Sequence, residues 1–159
     1  MWEDLNVSED AARVTGFNYE SYAQKAEDPT IIYKDFIDLI SQDDVIIVGQ
    51  NLLGYDIYIL GVIARQLGFN IDYSFVDRIF DTKAIATALA KGNKNPDKED
   101  FISWQLKWLN YRERGLKTNQ KYLLEYYDID FDSKKLHDAL YDIEKNFEIF
   151  LKQIWELEI

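Results

Sequence analysis

Val45-Ile46-Ile47-Val48-Gly49-Gln50-Asn51-Leu52-Leu53-Gly54-Tyr55-Asp56-Ile57-Tyr58-Ile59-Leu60 is the stretch whose reading decides the fold of this chain. Its first four residues are all apolar and β-branched, so they favour a strand. Ile57, Leu60, Val62, Ile63 and Leu67 then recur at helical spacing, and Gly68 supplies a natural helix stop. A strand therefore ends at Gly49, a short turn follows, and Asp56 falls near the start of a helix. Sites collect at the strand ends of α/β sheets, which makes Asp56 a candidate functional carboxylate.

Downstream, residues 72–80 hold Phe75, Val76, Ile79 and Phe80 and should include a second strand. Asp81-Thr82 ends it and caps a helix through Ile85, Ala88 and Leu89. Strand–helix–strand–helix is the order of an α/β domain with parallel strands. Upstream, Ser8, Asn18 and Pro29 each open a helix. The first stops at Gly16, and the third turns Ile32, Phe36, Ile37, Leu39 and Ile40 inward. Residues 92–100 read as a polar loop. Phe101, Trp104, Gln105, Trp108 and Leu109 mark a helix that ends by Gly115, with the two tryptophans in the core. Residues 122–127 form another helix and 129–132 an extended link. A long last helix carries Leu140, Ile143, Phe147, Phe150, Leu151 and Ile154 on one face.

Composition bounds the reading. The chain has 159 residues, enough for one domain with a real core, and 47% hydrophobic content speaks against disorder. Without Cys, disulfides and thiolate metal sites are excluded. There is no signal peptide and no apolar run near ~20 residues, so a soluble, cytoplasmic protein with no membrane association is expected. A net charge of −11 is unusual for a nucleic-acid binder. Yet Lys107, Arg112, Arg114, Lys117 and Lys121 are bunched in one segment, and enzymes that hold divalent cations need carboxylates.

The second informative stretch is His137-Asp138-Ala139-Leu140-Tyr141-Asp142, which holds the single histidine. Five steps along a helix would set His137 and Asp142 about 140° apart. They converge if His137 lies on the connecting turn and Asp142 points inward from the helix. The plainer alternatives are a surface or capping His and an Asp that complements the helix dipole. Asp81 has two readings as well, and an N-cap for the following helix is favoured over a metal ligand. For Tyr55, core packing is a reading at least as good as a functional one.

Taken together, G-Q-N-x-x-G-Y-D-x-x-x-L followed by H-D-A-L-x-D resembles the DEDD superfamily of 3′–5′ exonucleases. The likeness is to the His-bearing branch that includes polymerase proofreading subunits, RNase T and oligoribonuclease. Residues 8–17, Phe80-Asp81-Thr82 and residues 123–131 are similar to connecting segments of that family, so the resemblance runs over residues 8–150. It implies an α/β ribonuclease H-like exonuclease fold. It further implies two Mg²⁺ or Mn²⁺ ions about 3.5–4 Å apart that clamp the attacking water and the leaving oxygen. By this resemblance Asp56 and Asp142 are metal ligands, His137 is the general base, and Asn51 and Tyr55 meet the 3′ end of DNA or RNA. Gln50 stands where the family more often has His, and its amide can still donate a hydrogen bond.

One departure shapes every expectation. The family's first motif, Asp-x-Glu on a central strand, is absent; Asp97-Lys98-Glu99 has the spelling but lies in a polar loop. The chain is therefore expected to lack the first three strands, roughly 25–40 residues. Only two parallel strands, near 45–49 and 75–80, remain to pack with several helices. The strand at Val45 should expose an edge and the helices should leave an apolar face uncovered. Such a chain is expected to self-associate, to take a partner chain over that edge, or to be marginally stable. It should also hold metal weakly and cut inefficiently. A nuclease-derived binding module without catalysis is the alternative.

Overall fold

The computed structural model of the chain describes residues 5–96 and 99–158. Residues 97 and 98 of the Asp97-Lys98-Glu99 triplet lie outside them. The architecture is mixed α/β, with eight helices and one two-stranded sheet among the described residues. Strands β1 (Ile47–Gly49) and β2 (Ile79–Asp81) run parallel, with Ile47 beside Ile79, Val48 beside Phe80 and Gly49 beside Asp81.

Both strands are shorter than the apolar runs suggested. Ser74–Arg78 winds as a 3₁₀ turn instead of extending, so the second strand begins at Ile79 and not near 75. Arg78 explains part of this. Its guanidinium donates at 3.0 Å to the carbonyl of Val45, an acceptor that a longer ladder could use, and at 2.6 Å to that of Ile40 at the end of a helix. The outer side of β2 is closed by a side chain. Gln105 accepts the Asp81 N–H at 2.6 Å and donates to the Ile79 carbonyl at 2.8 Å, standing in for a neighbouring strand. Among the described residues β1 pairs with β2 alone, and its other edge stays open, as the shortfall of strands led us to expect. Ile46, just before it, is 60% exposed.

Helix α5 (Thr82–Ala90) is the hub. Ala84 joins the apolar cluster of Ile40, Leu53, Phe75, Ile79 and Leu109. Ala86 joins that of Leu123, Leu124, Ile129 and Ile149, while Ile85 and Ala88 meet Trp104 and Leu157. Small residues on most sides let neighbouring elements approach a fully surrounded helix.

Helices α1 (Glu9–Thr15) and α2 (Tyr19–Lys25) start at their expected caps, Ser8 and Asn18, and bury no residue. Helix α3 (Pro29–Ile40) starts at Asp28 with Pro29 in its first turn, but its inner face is only partly the expected one. Tyr33, Ile37 and Ile40 turn inward, whereas Ile32, Phe36 and Leu39 are about half exposed. Helix α4 (Ile57–Gln66) is followed by left-handed Gly68. Helix α6 (Phe101–Asn110) buries Trp104, as expected, and ends at Tyr111 instead of reaching Gly115. Helix α7 is Gln120–Tyr126.

Helix α8 (Ala139–Ile154) carries an apolar stripe that is left largely uncovered. Of its six apolar residues on one face, only Phe150 is buried; Ile143 is 66% exposed, and Leu140, Phe147, Leu151 and Ile154 also face outward, an uncovered apolar face of the kind the shortfall of strands led us to expect. The helix buries Asn146, Ile149, Phe150 and Gln153. Polar pairing holds that side in place. The Thr82 hydroxyl donates to Asn146 Oδ1 at 2.7 Å, and Gln153 Nε2 donates to the Thr82 carbonyl at 2.9 Å. Buried amides need such partners. Among the described residues no helix is long and apolar enough to cross a membrane.

Candidate functional site

Asp81 organises the carboxyl ends of the strands. It is fully buried, and its carboxylate accepts four backbone N–H groups. Oδ1 takes Asn51 at 3.0 Å, Lys83 at 3.1 Å and Ala84 at 3.3 Å, and Oδ2 takes Leu53 at 3.1 Å. Two of these donors begin α5, so Asp81 is the N-cap it was expected to be. The other two lie in the turn after β1, which Asp81 thereby fastens to β2. Burial pushes its carboxyl above the usual value, and the four N–H donors pull the other way. Fully buried and engaged by four main-chain donors, its carboxylate serves to cap and fasten these segments.

Held from below, Asn51 adopts a left-handed backbone (φ 66°), a conformation Asn tolerates well. Its side-chain oxygen accepts from Lys83 Nζ at 3.0 Å. Lys83 is a site residue that sequence reasoning missed, because nothing in its spacing sets it apart from any cation in a first helical turn. The following turn, Leu52–Asp56, is π-helical and runs directly into α4. Gly54 makes it possible: a Cβ there would sit 2.7 Å from Asn51 Oδ1 and 3.1 Å from Leu109 Cδ2.

Tyr55 emerges from this turn 60% exposed, which removes its core-packing reading. Asp56 occupies the N-cap position of α4 but caps nothing. It borders an apolar cleft of about 220 Å³ lined by Phe36, Ile47, Leu52, Leu60 and Phe75 among others. No ion pair among the described residues uses it. Burial raises its carboxyl pKa. The folded protein then holds that proton more tightly than the unfolded chain does. Its contribution favours folding below the ordinary carboxylate pKa and is lost as pH rises through the folded value. NMR titration should give Asp56 a midpoint above that of an ordinary aspartate, and Asp56→Asn should remove that part of the pH dependence of stability. A midpoint at or below the ordinary value would place the carboxylate in open water instead.

At the other stretch, His137 lies on the turn before α8, with a left-handed φ of 82°. Its backbone N–H donates to Asp142 Oδ2 at 3.1 Å. The two residues do converge, through the main chain of His137, while its imidazole is exposed. Asp138 caps α8 by accepting from Tyr141 N–H. The segment 118–120 then links the two stretches. Gln50 Nε2 donates to the Thr118 carbonyl and Gln120 Nε2 to the Asp142 carbonyl, both at 2.8 Å. Gln120 is a second residue that the sequence reading passed over.

Asp56 and Asp142 are hard oxygen donors of the kind Mg²⁺ and Mn²⁺ prefer. Even so, no three or more His, Cys, Asp or Glu among the described residues are grouped to hold an ion. The donors present do not make a resident cation site by themselves. No family model, curated protein or solved structure matches the chain.

Proposed function

We propose that this chain is a domain of the 3′–5′ exonuclease class, acting on the 3′ end of DNA or RNA. In this reading the two strands and their helices are part of a ribonuclease H-like exonuclease fold. One observation carries it: the 118–120 bridge joins Gln50, beside Asn51, to Asp142, which in turn holds His137. Asn51 and Tyr55 then contact the terminal nucleotide. His137 draws a proton from the water that attacks phosphorus as the 3′ oxygen leaves, a role suited to an imidazole near neutral pH. Asp56 and Asp142 supply two of the carboxylates for Mg²⁺ or Mn²⁺, and further acidic residues are needed to complete that set.

A second reading, a nuclease-derived binding module without catalysis, is favoured by the incomplete donor set. Release of mononucleotides from a 5′-labelled oligonucleotide in Mg²⁺ separates the two. The exonuclease reading expects slow release that falls by about 10² or more in His137→Ala and in Asp142→Ala. Equal release from all three proteins would overturn the assignment of both residues. No release from the unaltered chain under any divalent cation would favour the binding module.

A further inference from the structure

A cavity of about 290 Å³ lies between α5, α7 and the loop before α7, with Ala86, Leu89, Leu116, Lys117, Tyr122 and Tyr126 in its lining. Tyr122 and Tyr126, four residues apart on α7, are stacked with centroids 6.2 Å apart and planes 24° from parallel. Tyr126 also meets Tyr127 edge-on with centroids 5.0 Å apart, and at 63% exposure much of its side chain stays open to a ligand. Lys117 Nζ lies 5.9 Å from the Tyr122 ring centroid. Lys91, Lys107 and Lys145 are engaged by Glu113, Glu99 and Glu148. Lys117 lines this cavity, Arg114 and Lys121 are exposed three and four residues from it along the chain, and none of the three enters an ion pair among the described residues. The loop that carries Lys117 continues into Thr118 and Gln120, the bridge between Gln50 and Asp142.

We propose that this cavity receives a base of a single-stranded polynucleotide, stacked on Tyr126, while Arg114, Lys117 and Lys121 take the adjoining phosphates. Aromatic faces flanked by cations bind single strands with little sequence preference, because every base offers a π-face. The cavity is at the small end of ligand sites, which suits one base and excludes a duplex. Placed beside the 118–120 bridge, it holds the strand a short way from the proposed reacting end. The inference thus rests on the exonuclease reading for its place on the substrate but not for the binding itself.

The test is fluorescence anisotropy with labelled oligo(dT) and oligo(A) strands, in EDTA so that nothing is cut. The expected result is binding to single strands, weakened about tenfold or more in Tyr126→Ala. Lys117→Glu combined with Lys121→Glu should weaken binding further and flatten its dependence on salt. Tyr126 is exposed, so its substitution leaves the fold intact, which circular dichroism checks. Unchanged affinity in Tyr126→Ala and in the double charge reversal would overturn the site, as would no single-strand binding at low salt. Binding of a duplex as tight as that of a single strand would also overturn it. His137→Ala and Asp142→Ala should lower release by about 10² or more without altering this affinity. Intact binding with no nuclease activity would fail the exonuclease reading alone, and residue-dependent release without binding would fail this proposal alone.

Discussion

Replacing Asp81 with alanine should cost about 3–5 kcal/mol of folding stability, enough to unfold a large share of a marginal domain. Loss of an N-cap accounts for about 1 kcal/mol of that. The remainder comes from stranding the Asn51 and Leu53 N–H groups, which have no water to replace the carboxylate at a fully buried position. Asp81→Asn should be milder but not neutral. Its single oxygen can serve the three donors now on Oδ1, and its amide nitrogen would then face the Leu53 N–H, donor against donor. Urea denaturation of the three proteins should rank them Asp, Asn, Ala. A loss below about 1 kcal/mol in the alanine variant would mean that the turn after β1 does not depend on Asp81.

The orientation of α8 predicts a contrast between residues of nearly identical chemistry. Ile149 is fully buried against Leu123 and Leu124, and Ile149→Ala should cost about 2–5 kcal/mol. Ile143, on the same helix and 66% exposed, should change stability by no more than about 0.5 kcal/mol when replaced by alanine. Changing Leu140, Ile143 and Phe147 together to polar residues should likewise preserve folding. It should also reduce any association seen by sedimentation, since an exposed apolar stripe beside an open strand edge invites contacts between chains. If Ile143→Ala were as damaging as Ile149→Ala, the outward stripe would be covered by something in solution.

Much of the local structure could be read from the amino acids. Ser8, Asn18, Asp81 and Asp138 cap the helices that their side chains are suited to start, because capping is settled within four residues. The open edge of β1 also followed from counting strands. The inner face of α3 followed only in part, and which side of α8 is buried was not read. Periodicity shows that a helix has an apolar stripe, whereas the side of α8 that is buried is fastened by Asn146, Gln153 and Thr82 through hydrogen bonds between residues over 60 positions apart. Strand lengths were missed for a similar reason, since Arg78 claims the Val45 carbonyl across the fold. At the candidate site, the meeting of His137 and Asp142 was foreseeable from a turn placed before a helix. Lys83 on Asn51 and Gln120 on Asp142 were not, because both are contacts between separate elements.

The three apolar clusters share one short helix, and that sharing sets how the molecule comes apart. With Ala84, Ala86 and the pair Ile85 and Ala88 each facing a different cluster, no cluster can loosen without disturbing α5, and through it the other two. The elements that carry these clusters should therefore open as one cooperative unit, with destabilising changes in separate clusters coupling instead of simply adding, as double-mutant denaturation would show. Helices α1 and α2, with nothing buried, stand outside that unit and fray at little cost.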